Sequence, residues 1–84
     1  MKIELRFFAA VREALQVTQE SVELPADIYT VGAVRDWLRA RGGIWSEVLG
    51  QPSVRMAYDH VMTEPETAIA EGGEVAFFPP VTGG

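Results

Sequence analysis

Cysteine is absent from the 84-residue chain. That excludes a disulfide scaffold, a thiol nucleophile, sulfur carriage as a cysteine persulfide and any thiolate metal site. Histidine occurs once, as His60 beside Asp59. Adjacent residues make no base–orienter pair unless the backbone turns sharply, so His60 reads as a polar hairpin residue. A metal site needs several convergent ligands, and one histidine with scattered carboxylates supplies none. Basic residues stop at Arg55. Beyond it Asp59, Glu64, Glu66, Glu71 and Glu74 stand against no Lys or Arg and account for the whole net charge of −5. An acidic C-terminal third disfavours a phosphate backbone or an anionic lipid surface. It suits a basic partner surface, or is an ordinary solvated face. No apolar run approaches the roughly 18 residues of a membrane span. Lys2, Glu4 and Arg6 interrupt the first apolar stretch, so no secretory leader is expected and the reading is a cytoplasmic protein. Phosphate-cradling glycine motifs are missing as well.

What is present is a patterned small domain. Apolar residues make up 48% of the chain and charged residues 23%, the profile of a folded domain rather than of a disordered segment. Ile3, Leu5 and Phe7 alternate with Lys2, Glu4, Arg6 and Phe8, which predicts a half-buried strand. From Ala9 to Leu15 the period changes to i,i+4, with Ala10/Ala14 and Val11/Leu15, which predicts a short helix. Val22 and Leu24 alternate with Ser21 and Glu23 in a second strand closed by Pro25. Thr30 is placed as an N-cap, without the glutamate of a full capping box. Val31, Val34, Trp37 and Leu38 then form the apolar stripe of one long helix, stopped by Gly42-Gly43. Arg39 and Arg41 suit the negative pole at its end. Residues 44–49 read as a further turn. Val54, Met56 and Tyr58 form a third strand, Asp59-His60 its turn, and Val61-Met62 a short fourth. Residues 65–70 read as loop or one tight turn, and Glu71-Gly72-Gly73 as a turn. Glu74 to Phe78 is the last strand, because neither Pro79 nor Pro80 has an N–H to donate.

The order β, short α, β, long α, β, β, β predicts an α+β fold: a mixed sheet with one long helix and short helical turns on one face. The β-grasp, or ubiquitin-like, arrangement fits that order. A ferredoxin-like fold would need a second long helix near residues 60–72, where Pro65 and Gly72 stand. Residues 1–78 are expected to form the single domain and residues 79–84 an extended Gly-Gly tail.

Two features are left for function. The first is the C-terminal Gly83-Gly84. It is either an ordinary glycine-rich end or a reactive one. In the reactive reading, Gly84 lacks a Cβ and its carboxylate can enter a narrow slot, while Gly83 allows an extended approach. A carboxylate is ionised at neutral pH and a poor electrophile. It must be activated, for example as an acyl-adenylate, and nothing in this chain binds ATP. Activation therefore falls to another protein. The second feature is a pair of phenylalanines, Phe8 and Phe78, on the faces opposite Ile3/Leu5/Phe7 and Val75/Phe77. Parallel first and last strands would bring Phe8, Ala76 and Phe78 together as an outward docking patch, unless a loop covers them.

The run Phe7-Phe8-Ala9-Ala10-Val11-Arg12-Glu13 and the end Glu74-Val75-Ala76-Phe77-Phe78-Pro79-Pro80-Val81-Thr82-Gly83-Gly84 closely resemble the MoaD-type sulfur carriers, the small subunits of molybdopterin synthase. The resemblance spans essentially the whole chain, most specifically its last eleven residues. It implies a β-grasp fold like that of ubiquitin. It also implies that an ATP-using enzyme of the ubiquitin-activating type adenylates Gly84 and that a sulfur donor protein converts it to a thiocarboxylate. The tail then threads into the large synthase subunit, in a heterotetramer, and gives its sulfur to a cyclic pyranopterin monophosphate during molybdenum cofactor biosynthesis. By the same resemblance Gly83 is the threading neighbour, and Phe8, Ala76, Phe78, Pro79, Pro80, Val81 and Thr82 belong to the subunit interface. No cofactor is expected on this chain itself. The sequence departs from the family pattern at Tyr58-Asp59, where many relatives have Val-Asn, and at Gly72-Gly73-Glu74, where Gly-Asp-Glu is usual. Alternative readings are a carrier for thiazole synthesis or tRNA thiolation, a protein modifier whose Gly84 forms isopeptides, and an interaction domain with an inert tail.

Overall fold

The computed structural model describes residues 1–80 of the chain. Alternation at the N-terminus produces β1, Lys2–Phe7, whose Ile3, Leu5 and Phe7 are wholly buried. Helix α1, Ala9–Leu15, buries Val11 and Leu15 and leaves Ala10 and Ala14 exposed. It ends on Gln16 in the left-handed region, whose N–H donates to the Arg12 carbonyl at 2.7 Å. Strand β2, Gln19–Glu23, runs antiparallel to β1 with Ile3 opposite Val22. Helix α2, Val31–Arg39, starts where the sequence placed its cap: the Ala33 N–H donates to Thr30 Oγ1 at 3.1 Å. It buries Val31, Val34 and Leu38. Residues 44–49, read as a further turn, are a six-residue helix α3, Ile44–Leu49, that buries Val48 and Leu49.

Three strands follow: β3, Arg55–Tyr58; β4, Val61–Met62; and β5, Glu74–Phe78. The five strands stand in the order β2-β1-β5-β3-β4. β1 and β5 are parallel neighbours, and every other pair is antiparallel. First and last strands parallel at the centre, with the helices crossing one face, is the β-grasp topology of ubiquitin. Parallel neighbours cannot be joined by a tight turn, so the crossover is obligatory. One core fills the space between sheet and helices. Phe7 and Phe77, in register across β1 and β5, stack with centroids 5.8 Å apart, and Trp45 packs edge-on to Phe7 at 5.6 Å.

Two details depart from the sequence reading. The stretch after Pro65 contributes to the core: Ile69 is buried, its N–H donates to the Tyr29 carbonyl, and Ala68 bridges to Thr30. Arg41, placed at the negative pole of the helix, instead grips Glu20 through both guanidinium nitrogens at 3.0 and 2.6 Å and lies 4.4 Å from the Trp45 ring. A third detail explains a pair of departures from the family pattern. The Tyr58 ring lies directly over Gly73, where a Cβ would collide with it, and the Tyr58 hydroxyl accepts from the Ala70 N–H at 2.8 Å. The large residue and the missing side chain are thus two halves of one contact. Gly73→Ala is expected to cost about 1–3 kcal/mol of stability by overpacking, measured by urea unfolding. Adding Tyr58→Val should recover part of that loss.

Candidate functional site

The face of the sheet away from the helices carries the residues singled out for docking. Register orders them in rows. Met62, Ala57, Ala76 and Arg6 stand side by side across β4, β3, β5 and β1. One row nearer the C-terminal end of β5, Arg55 is opposite Phe78. Phe8 continues the ladder past β1, its N–H donating to the Phe77 carbonyl at 3.1 Å. Phe8 therefore stands beside Phe78, as parallel first and last strands require. Phe8 is 39% exposed and Phe78 half-buried. Ala76 lies on this face and is 6% exposed. A methyl group between Arg6, Glu74 and Phe78 forms the floor of the patch rather than its rim.

Met62, 60% exposed, extends the apolar strip to the sheet edge. Sequence reasoning missed it, because its row depends on the hairpin between β3 and β4. That hairpin turns on Asp59 and His60, both at positive φ (48° and 69°), the signature of a two-residue type I′ turn. Asp59 is well suited to it: its carboxylate accepts from the Glu74 N–H and its own N–H donates to the Glu74 carbonyl, each at 2.9 Å. His60 is largely exposed, with Nε2 3.7 Å from Glu74 Oε2. It points at no nucleophile and sits where the sequence reading put it, in the hairpin.

The base of the tail adjoins this patch. Pro79 and Pro80 are half-buried and, with Ala10, Val11 and Ala14 of α1 and Val54, line a groove of about 240 Å³. Having no N–H, they end the β5 ladder after Phe78, and they leave the sheet along α1. Val81, Thr82, Gly83 and Gly84, the remaining site residues expected from the sequence, lie outside the described residues. Among the described residues no helix is long and apolar enough to cross a membrane.

Comparison with known proteins places this geometry in context. A family model described as "ThiS family" matches residues 5–84. The molybdopterin synthase sulfur carrier subunit of Haemophilus influenzae is 37% identical over 82 residues, covering 98% of this chain and 99% of that protein. Among solved structures, SAMP1 from Haloferax volcanii superposes with a TM-score of 0.76 at 24% identity, each chain covered in full. A chain from the complex of subunits 1 and 2 of the molybdopterin-converting factor of Helicobacter pylori gives 0.70 at 21% identity, again with both chains fully covered. At those identities the two structures speak for the fold alone.

Proposed function

We propose, from the premise that the chain belongs to the ThiS family, that it is the sulfur carrier subunit of a molybdopterin synthase. The observation that carries this reading is the 37% identity to a subunit of that function over nearly the whole of both chains. The fold by itself does not discriminate, since SAMP1 shares it as closely as a molybdopterin-converting factor subunit does. A chain without cysteine fits a carrier whose sulfur rides on a terminal carboxyl group. Such a group does not enter the disulfide exchange that would discharge a persulfide to cellular thiols.

In the proposed cycle a partner enzyme of the ubiquitin-activating type supplies ATP. A Gly84 carboxylate oxygen attacks the α-phosphorus and pyrophosphate leaves. The terminal sulfur of a donor protein's cysteine persulfide then attacks the acyl carbon and AMP departs, leaving an acyl disulfide. A thiol of the charging system cleaves its S–S bond, forming a disulfide with the donor cysteine and releasing the thiocarboxylate. The face bearing Phe8, Phe78 and Met62 docks on the large subunit, in a heterotetramer. Gly83 and Gly84 reach its closed site, with Val81 and Thr82 as the tail's interface contacts. There the sulfur attacks a carbon of the cyclic pyranopterin monophosphate and displaces its oxygen substituent. Water then cleaves the resulting thioester at its acyl–sulfur bond, leaving the sulfur on the pterin and returning Gly84 to a carboxylate. Docking of the globular face turns sulfur delivery into an effectively intramolecular step.

Intact mass spectrometry after incubation with the activating enzyme, ATP and a sulfur source tests the chemistry. The expected result is a gain equal to one oxygen replaced by sulfur, localised to the peptide containing Gly84. No gain, with a charging system that modifies another carrier, would overturn it.

A further inference from the structure

The docking face carries two charges that the reading above does not use. Arg6 is in register with Ala76, and Arg55 with Phe78. The two guanidinium groups therefore bracket the apolar strip from opposite strands. Arg6 is tethered but not satisfied. Its Nη1 is 3.8 Å from Glu74 Oε1, beyond hydrogen-bonding distance, and its Cζ is 5.8 Å from the Phe8 ring centroid. Its Nε is buried and has no hydrogen-bond partner among the described residues. The same is true of Arg39 Nε, but Arg39 belongs to α2, on the other side of the sheet. Arg55 is exposed and makes no ion pair among the described residues.

Two acids of this face, Glu4 and Glu74, have polar neighbours, and exposed Glu64 lines a groove with Arg55 and Met62 without an ion pair among the described residues. Glu4 accepts from the Ser21 hydroxyl at 2.5 Å, and Glu74 lies between Arg6 and His60. Glu64, Glu66 and Glu71, which carry much of the chain's negative charge, lie outside the strands. Neither Arg6 nor Arg55 donates a hydrogen bond from its guanidinium group to an acceptor among the described residues, although the chain as a whole is acidic.

We propose that Arg6 and Arg55 are the specificity contacts of this face, and that the partner's matching surface presents a carboxylate to each around an apolar centre. The inference rests on the reading that this face docks the large subunit. The cation–π contact with Phe8, 5.8 Å from Arg6 Cζ to the ring centroid, biases the Arg6 fork toward this face before binding, so an incoming carboxylate meets a partly oriented donor set. Burial of the strip excludes water and strengthens each charge-assisted bond. A partner with bases at these positions would bury like charges together and be rejected.

Titration calorimetry with the purified large subunit, at low and high salt, tests this on the wild-type chain, Arg6→Gln, Arg55→Gln, the double variant and Phe78→Asp. Each glutamine is expected to weaken binding about tenfold at low salt, and the double variant to lose most of the salt dependence. Melting temperatures should change little. Glutamine variants that bind like wild type while Phe78→Asp loses binding would overturn the arginine assignment and leave the docking face standing. Weaker binding with unchanged salt dependence would overturn the carboxylates, since it points to a neutral acceptor. No binding by the wild-type chain, or no effect of any variant, would remove the docking reading and this inference with it.

Discussion

Removal of Gly84 is expected to abolish sulfur transfer and leave the fold unchanged. Among the described residues the last buried one is Phe77 and the last in a strand is Phe78, so the truncation is expected to leave the packed interior intact. It shortens the tail by about 3.5 Å and presents the carboxylate of Gly83 instead. An adenylating site and a sulfur-accepting site each have to receive that carboxylate at bonding distance, and a misplacement of about 1 Å can cost a factor of roughly 100 in rate. A whole residue is several times that. Circular dichroism and thermal melts should match the full chain, and reconstituted synthase should show no product above background. Turnover by the truncated chain would overturn the assignment of Gly84 as the sulfur-bearing residue.

Phe78→Asp is expected to be the most damaging single change on the docking face. Phe78 stands between Phe8 and Arg55 at the end of the central strand, beside the point where the tail departs. Truncating an aromatic anchor at the centre of an interface costs about 2–4 kcal/mol, or roughly 30- to 1,000-fold in Kd. A buried carboxylate among apolar groups should bring the loss to the upper end of that range. The free domain should lose only about 1 kcal/mol, the span of strand propensities, because the core-facing neighbour Phe77 is untouched. Calorimetry for binding and urea unfolding for stability separate the two. Equal losses in both would mean that Phe78 serves the fold rather than the partner.

Much of the architecture was legible because it depends on periodicity. Alternation placed Ile3, Leu5, Phe7, Val75 and Phe77 on the inner face, and all five are wholly buried. The Thr30 cap and the glycines after α2 were likewise readable, since caps and left-handed positions are local chemistry. Ile69 was not: a single apolar residue in a stretch with no period looks like loop until the neighbouring backbone is known. Nor was Arg41, whose partners Glu20 and Trp45 are brought to it by the fold rather than by its own helix.

For the site, the sequence by itself determined the chemistry that is possible. A chain with no cysteine and one histidine has few reactive side chains, which made Gly83 and Gly84 the expected site. Composition decides this because reactive groups can be counted without coordinates. Tertiary structure alone decided which residues share the outer face of the sheet, the face proposed for docking. A two-residue turn at Asp59 and His60 sets the β3–β4 register and puts Met62 in the strip. Neighbouring side chains leave Ala76 as the floor of the strip. The parallel pairing of β1 with β5 and the antiparallel pairing of β3 with β5 set Arg6 and Arg55 on either side. Rows across a sheet join residues far apart in the chain, and a shift of one residue in any register would send each side chain to the opposite face.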